Sequence, residues 1–426
     1  MPSNSSIQFA PEQFDRLFQE LYRIYKADMF LSRSEFPGGG DCYIGLEPCH
    51  QLIVTDKTTK EQIESFCFND TDPTFGYLSY NYGYRLRGVL SNKITEFPYG
   101  HLKKYSAVIK YDGKSLELSV FDETFDIDLD KIISLTEAKT PFEIGHIKPA
   151  ESINSSLDRD EYILRTESAI DYIREGYIYQ LNLTIKYECD FQASDLFPLY
   201  ASFWKTFPAS HYVLFESEPY QIISTSPESF LSVIDGKVLS QPIKGTLAYD
   251  TYDESLAVKL KESPKESAEL SMIVDMVRND ISINCEHGSV KVSDHKTTFT
   301  VDNLIQMYSK VQGKLRRDKT VIDLMLDSFP GASITGCPKK KAMELIDELE
   351  PHFRDVYCGS FFVINDKRNM ESSIAIRTGY LDKDKGRLAF FAGSGIVVES
   401  KAESEYLETT AKAGKFLDIL KSEQKP

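Results

Sequence analysis

Glu228, in Ser226-Pro227-Glu228, and Lys244, in Gln241-Pro242-Ile243-Lys244-Gly245-Thr246, stand at the two open ends of a hairpin signal. The arms are apolar from Phe230 to Val233 and at Val238-Leu239, around the turn pair Asp235-Gly236. The turn decides which faces the two groups take. A two-residue loop pairs Ile234 with Lys237 and Glu228 with Ile243, which puts Lys244 on the opposite face. A three-residue loop with a left-handed Gly236 pairs Val233 with Lys237, and Glu228 then shares a face with Lys244. We expect the second register, because an acid and an amine on one face make a site. The alternative is an exposed lysine at a strand-to-loop exit, since most lysines are solvated.

Two glutamate pairs offer metal chemistry. Glu266 and Glu269 are three apart on a helix expected over 265–280, just after Pro264, beside an apolar face of Leu270, Ile273, Val274 and Val277. Glu405 and Glu408 repeat the spacing in the last helix, with Lys412 four further on. Carboxylates from two helices could converge on Mg²⁺, which takes oxygen ligands. Two solvated acidic faces are the other reading in an acidic protein. Gly331-Ala332-Ser333-Ile334-Thr335-Gly336-Cys337-Pro338 precedes a helix with Leu345, Ile346 and Leu349 inside. Its hydroxyls and early proline suit an anion pocket or an ordinary capped loop. Arg377 lies in Ile374-Ala375-Ile376-Arg377-Thr378, read as an apolar strand, where a guanidinium calls for a carboxylate from protein or substrate. Ala392-Gly393-Ser394-Gly395 closes another strand.

These groups need elements to hold them. Residues 11–28 have helical apolar spacing, Phe75 to Tyr80 reads as a buried strand, and 105–127 alternate around Asp112-Gly113 as a hairpin. The polar segment from Thr140 to Ser156 is the expected linker, dividing a β-rich region over 1–150 from a second region over 158–420. Ser156 or Asp158 caps a helix running to Glu175, and strands follow at Tyr177 to Ile185 and His211 to Phe215. Strand runs mixed with separated helices, without regular βαβ alternation, predict an α+β fold of antiparallel sheets.

The chain has 426 residues, 41% hydrophobic and 27% charged, as in soluble globular proteins. Its net charge of −16 argues against nucleic acid and anionic membrane surfaces. No apolar run suits a membrane span, and the first residues lack signal-peptide character. Seven scattered cysteines without CxxC spacing read as reduced thiols, so a cytoplasmic setting is expected. The histidines are scattered too, which speaks against zinc and for a hard ion held by carboxylates.

Taken together, the motifs resemble the chorismate-utilising enzymes: anthranilate synthase component I, aminodeoxychorismate synthase component I, and the isochorismate and salicylate synthases. The resemblance runs in order from about Asp158 to Leu420. It rests on Tyr179-Gln180, Ser226-Pro227-Glu228, Pro242-Ile243-Lys244-Gly245-Thr246, Ala268-Glu269, Val274-Asp275 and Arg278-Asn279-Asp280. It continues through Gly336-Cys337-Pro338-Lys339, Tyr357-Cys358-Gly359, Ile374 to Thr378, Ala392 to Ile396, and Glu405-Tyr406-Leu407-Glu408-Thr409. The first 150 residues match loosely, at Phe30-Leu31-Ser32 and Phe75-Gly76-Tyr77.

The resemblance implies an antiparallel β-sandwich with helices outside, and it implies a branch. Anthranilate synthases resemble Pro-Ile-Ala-Gly-Thr where Lys244 stands, and isochorismate and salicylate synthases carry a lysine base where Gln180 stands. Both positions point to the aminodeoxychorismate synthase component I branch, which aminates chorismate at C4 toward p-aminobenzoate and folate. By this resemblance Lys244 attacks ring C2 while Glu228 protonates the departing hydroxyl, and ammonia then enters at C4 and expels the lysine. An ordinary lysine is protonated near neutrality, so such a role calls for burial or nearby cations. Glu266, Glu269, Glu405 and Glu408 would hold Mg²⁺ against the ring carboxylate, near Gly393, Ser394 and Gly395. Tyr357 and Arg377 would hold the enolpyruvyl carboxylate. Gln180, Ser333, Thr335 and Lys412 would add polar contacts. The ammonia would come from a separate glutamine amidotransferase subunit. Gln306 stands where relatives often have a histidine, whose role is therefore not carried over.

Overall fold

The computed structural model describes residues 3–136, 147–249, 251–301 and 304–421. The first third holds β1 (Ser3–Gln8), α1 (Pro11–Tyr25), β2 (Asp28–Ser32), β3 (Cys42–Val54) and α2 (Lys60–Phe68). Then come β4 (Thr74–Leu78), α3 (Tyr80–Arg87), β5 (Gly100–Tyr111), β6 (Ser115–Val120) and α4 (Leu129–Thr136). The aromatic run from Phe75 divides between β4 and α3, and the Asp112-Gly113 hairpin joins β5 to β6. Of the expected linker, residues 140–146 lie outside the described residues.

The middle third holds β7 (Asn154–Ser155), α5 (Arg159–Arg174), β8 (Gln180–Asp190), α6 (Phe197–Thr206) and β9 (His211–Ser217). β10 (Tyr220–Ser226), β11 (Ser229–Ile234), β12 (Lys237–Ser240), β13 (Ile243–Ala248), α7 (Glu254–Glu262) and α8 (Pro264–Ser282) follow. Asp158 starts α5 through a capping box with Glu161, and Ser263 with Pro264 at the first turn starts α8. The last third holds β14 (Lys291–Val301), β15 (Leu304–Lys314), α9 (Val321–Ser328), a 3₁₀ turn (Ala332–Ile334), β16 (Gly336–Cys337) and α10 (Lys339–Leu349). It ends with β17 (Ser360–Asp366), β18 (Asn369–Ile374), β19 (Thr378–Asp382), β20 (Arg387–Ile396) and α11 (Ala402–Lys421).

The strands form one hydrogen-bonded antiparallel ribbon. From β8 it runs through β20, β19, β10, β9, β2, β3 and β5. It continues through β4, β17, β18, β11, β12 and β15. Strands from the first 150 residues thus lie inside the same sheet as those that follow. The ribbon folds back so that its halves face each other: Tyr77 of β4 packs edge-on to Phe215 of β9, and Phe75 of β4 to Phe30 of β2. Such pairs contribute about 0.5–1.5 kcal/mol each beyond their buried area. α5 and α11 cover β20, while α8 lies over β13 and β15. The two acidic pairs therefore come from helices that cover different strands, α8 over β13 and β15 and α11 over β20.

Candidate active site

The hairpin closes with two residues, which corrects the expected three-residue register. Ile234 pairs with Lys237, and Asp235 (φ 52°) and Gly236 (φ 75°) are both left-handed. That turn matches the right-handed twist of its strands, and Asp-Gly tolerates both positive φ values. The face argument built on the other register fails with it. Glu228 and Lys244 approach each other for a different reason, because neither belongs to the regular ladder. Glu228 precedes β11, which has an irregularity between Ser229 and Ser232. Gln241-Pro242 ends β12, and β13 pairs with β15 through a bulge between Ile243 and Thr246. Gly245 makes the bulge at φ +84°, with a Cβ there only 3.3 Å from Glu266 and Met307, so glycine lets Lys244 turn inward against α8.

Glu228 is buried, and Ser333 Oγ donates to its Oε1 at 3.0 Å. Burial pushes its carboxyl up to about 7, against the opposing pull of the Lys244 ammonium, the Ser333 hydroxyl and the Ile243 N–H. Lys244 is half-buried and its Nζ ends over Gly395, where a Cβ would lie 3.6 Å from it and 3.5 Å from Gln180 Nε2. Both polar atoms of Gln180 are buried without a hydrogen-bond partner, as is the hydroxyl of Thr335. Leaving a buried amide unpaired costs about 1–3 kcal/mol, so Gln180 is poised for a polar ligand. The amine of Lys244 and the unpaired amide of Gln180 thus meet over Gly395, and Lys244 is near enough to Glu228 to favour its charged form.

Tyr357 is buried with its ring stacked on Phe391, centroids 5.2 Å apart. Arg377 is not in a strand, contrary to expectation: it lies between β18 and β19 at φ 50°, and its carbonyl accepts from Thr225 N–H. It is near enough to Lys412 to disfavour that ammonium. Lys412 donates to the Gly393 carbonyl at 3.1 Å and pairs with Glu408 at 2.6 Å. Its side chain keeps 40% of its accessible area, so solvent weakens the pair. Ser394 differs from its glycine neighbours. Its hydroxyl meets Tyr162 Oη at 3.0 Å and the Glu405 carbonyl, facing the helices, so only backbone groups of this residue can face the spot over Gly395.

Burial raises the carboxyls of Glu266 and Glu269, with added repulsion on Glu266 from Glu408 and Glu405, and on Glu269 from Glu266 and Glu405. Burial also pushes Glu408 up, but Lys412 outweighs it and holds the group below its ordinary value. The two helices therefore present their acids to one another. Among the described residues, however, no three Asp, Glu, His or Cys side chains stand close enough to hold a metal ion. Lys265 lies 3.9 Å from Glu269, Ser400 donates to Glu405, and Lys412 takes Glu408. The donor set, all carboxylate oxygen, is of the chemistry a hard divalent cation takes.

A cleft of about 1100 Å³ opens beside these groups, walled by Tyr179, Glu269, Met272, Met276, Pro338 and Val398. Asp280 and Lys339, pointed to only as parts of longer motifs, also line it and pair at 3.0 Å, tying α8 to the start of α10. No spacing rule links two residues so far apart in sequence, so only their shared presence in those motifs could have signalled them.

The chorismate binding enzyme family matches residues 35–418. The chain belongs to that family. It is 33% identical over 330 residues to the aminodeoxychorismate synthase component 1 of Klebsiella aerogenes, covering 75% of this chain and 70% of that one. The Bacillus subtilis protein of the same name is 28% identical over 457 residues, covering 97% of this chain and 95% of its own. Anthranilate synthase component 1 of Bacillus subtilis is 32% identical over 330 residues, 75% of this chain and 63% of that one. The solved anthranilate synthase component I of Streptococcus pneumoniae superposes with a TM-score of 0.76 at 26% identity, covering 88% of this chain and 91% of that one. The expected α+β architecture of antiparallel sheets is thus the one this chorismate-utilising enzyme has, and overall similarity does not separate the two activities. Among the described residues no helix is long and apolar enough to cross a membrane.

Proposed function

We propose that this enzyme is component I of an aminodeoxychorismate synthase, replacing the C4 hydroxyl of chorismate with an amino group. The observation that carries the reading is Lys244, an amine whose Nζ reaches the spot over Gly395 beside a buried acid. Anthranilate synthases resemble alanine at that place, where no side-chain nucleophile exists.

In the proposed reaction Lys244 Nζ attacks ring C2 as the C4–O bond breaks, and Glu228 gives its proton to the departing oxygen. Glu228 suits that task because burial raises its carboxyl to about 7, so a substantial fraction is protonated near neutral pH. Ammonia then bonds to C4 and the C2–N bond breaks, returning the amine to Lys244 and leaving 4-amino-4-deoxychorismate. Gln180 would pair its free amide with the substrate, and Tyr357 and Arg377 would hold the enolpyruvyl carboxylate. Glu266, Glu269, Glu405 and Glu408 would hold Mg²⁺, which would supply positive charge to offset the charge of the dianionic substrate. Chelation is therefore expected to abolish turnover and added Mg²⁺ to restore it, with Glu269→Gln or Glu408→Gln weakening the Mg²⁺-dependent turnover most directly. Full turnover in excess chelator would remove the metal from this reading.

The nitrogen source tests the partner. A glutaminase site needs an activated cysteine nucleophile, whereas Cys337 lies between Gly336 and Pro338, and buried Cys358 between Tyr357 and Gly359. Chorismate, Mg²⁺ and an ammonium salt should yield 4-amino-4-deoxychorismate on chromatography, without pyruvate release. Glutamine should serve only when a separate amidotransferase subunit is added. Fluorescent anthranilate as the main product would overturn the assignment, and glutamine-driven turnover by this chain alone would overturn the partner.

A further inference from the structure

The loop that carries Ser333 runs into β16, which pairs with β8, and the Thr335 carbonyl accepts the Asn182 N–H at 3.0 Å, yet Ser333 itself lies before that pairing, with its Oγ 3.0 Å from Glu228. A fully buried arginine adds a side-chain brace at the residue next to Ser333. Arg354 Nη1 donates to the Ile334 carbonyl at 2.8 Å, next to Ser333 in the chain. Its Nη2 donates to the Asn182 carbonyl at 2.6 Å, two residues beyond Gln180 on β8. One guanidinium fork thus ties the loop under Glu228 to the strand that presents Gln180. Glu350 fixes the fork in turn, accepting from Arg354 Nε at 3.0 Å and Nη2 at 2.7 Å while its Oε1 also accepts the Thr184 N–H at 2.9 Å. The guanidinium lies over the ring of Tyr80, 4.6 Å from its centroid. Arg354 and Glu350 are each about 1% exposed. A lysine could carry the charge but has no planar fork to bridge both carbonyls.

We propose that Arg354, oriented by Glu350, is a positioning residue that sets Ser333 against Glu228 and Gln180 against the substrate at the same time. The inference rests on the reading of Glu228 as the proton donor. Without the anchor, Ser333 drifts from the carboxylate, which then loses a hydrogen bond to its charged form. The other charged groups facing Glu228 are Lys244 on β13, Lys412 on α11, and Asp280 on α8, which lines the small cavity beside it. None of them touches Arg354's hydrogen bonds, so their contribution stays in place when the anchor is cut.

The test compares wild type, Ser333→Ala, Arg354→Lys and the charge-neutral Arg354→Met/Glu350→Gln, assayed for aminodeoxychorismate at fixed free ammonia over pH. The neutral pair guards against misfolding, since it leaves no unpaired buried charge and its amide still accepts from Thr184. Cutting the anchor should lower kcat about 10- to 100-fold with little change in KM. It should also move the high-pH loss of activity to higher pH, as Ser333→Ala does. Adding Ser333→Ala to Arg354→Lys should then cost almost nothing more. Loss of thermal stability with the pH limb unmoved, or losses that multiply in the combined variant, would overturn the anchor while leaving the reaction intact. A wild-type enzyme that makes no aminodeoxychorismate would instead overturn the reading on which the anchor rests.

Discussion

Replacing Lys244 with alanine is expected to lower 4-amino-4-deoxychorismate formation by roughly 10³-fold or more, while chorismate still binds. The size follows from the role: an amine that forms and breaks a bond to C2 has no substitute among the side chains converging on Gly395. Gln180, the nearest alternative, is an amide without a nucleophilic nitrogen. Binding should survive because the groups proposed to grip the two carboxylates stand on other elements, Arg377 between β18 and β19 and the glutamates on α8 and α11. Lys244→Arg should fail nearly as badly, since a guanidinium stays protonated. Chromatographic product analysis beside calorimetric titration of chorismate separates the two effects. Near-normal turnover in the alanine variant would sink the nucleophile assignment.

Glu228→Gln is expected to cost about 10² to 10⁴-fold in turnover, and the pH profile should say why. Burial, opposed by Lys244 and Ser333, leaves the Glu228 carboxyl ionising at about 7. A proton donor works while protonated, so its contribution is present below pH 7 and is lost as pH rises through that value. At fixed free ammonia the wild-type rate should therefore fall through neutrality toward alkaline pH. The glutamine variant should be slow and lack that limb. A wild-type profile that stays flat there would show that Glu228 does not supply the proton.

Much of this protein was legible in the sequence, because its signals are local. Helical spacing located α1, Asp158 was one of two candidate caps for α5, Pro264 marked the opening of α8, and Asp235-Gly236 marked a hairpin turn. Side-chain periodicity and capping depend on residues a few positions apart, so a chain read by itself contains them. The motif order from Gln180 to Glu408 carried the family on the same terms. The hairpin register was misread because an argument from faces assumes an unbroken ladder. Bulges at Gly245 and beside Ser229, and the interruption at Gln241-Pro242, reset which way Glu228 and Lys244 point. Arg377 likewise left its expected strand for a left-handed bend.

Other features existed only after folding. The ionisation of Glu228 near 7 is set by desolvation against four opposing groups from β13, the 3₁₀ turn and α11, distant stretches of chain. The outward turn of Ser394 toward Tyr162 and the unpaired amide of Gln180 are likewise set by neighbours on other elements. So is the Arg354 fork that joins Ile334 to Asn182. The sequence by itself determined which chemical groups the enzyme owns and which elements carry them. Only the tertiary structure decided their directions and charges, because both depend on burial and on distances between atoms far apart along the chain.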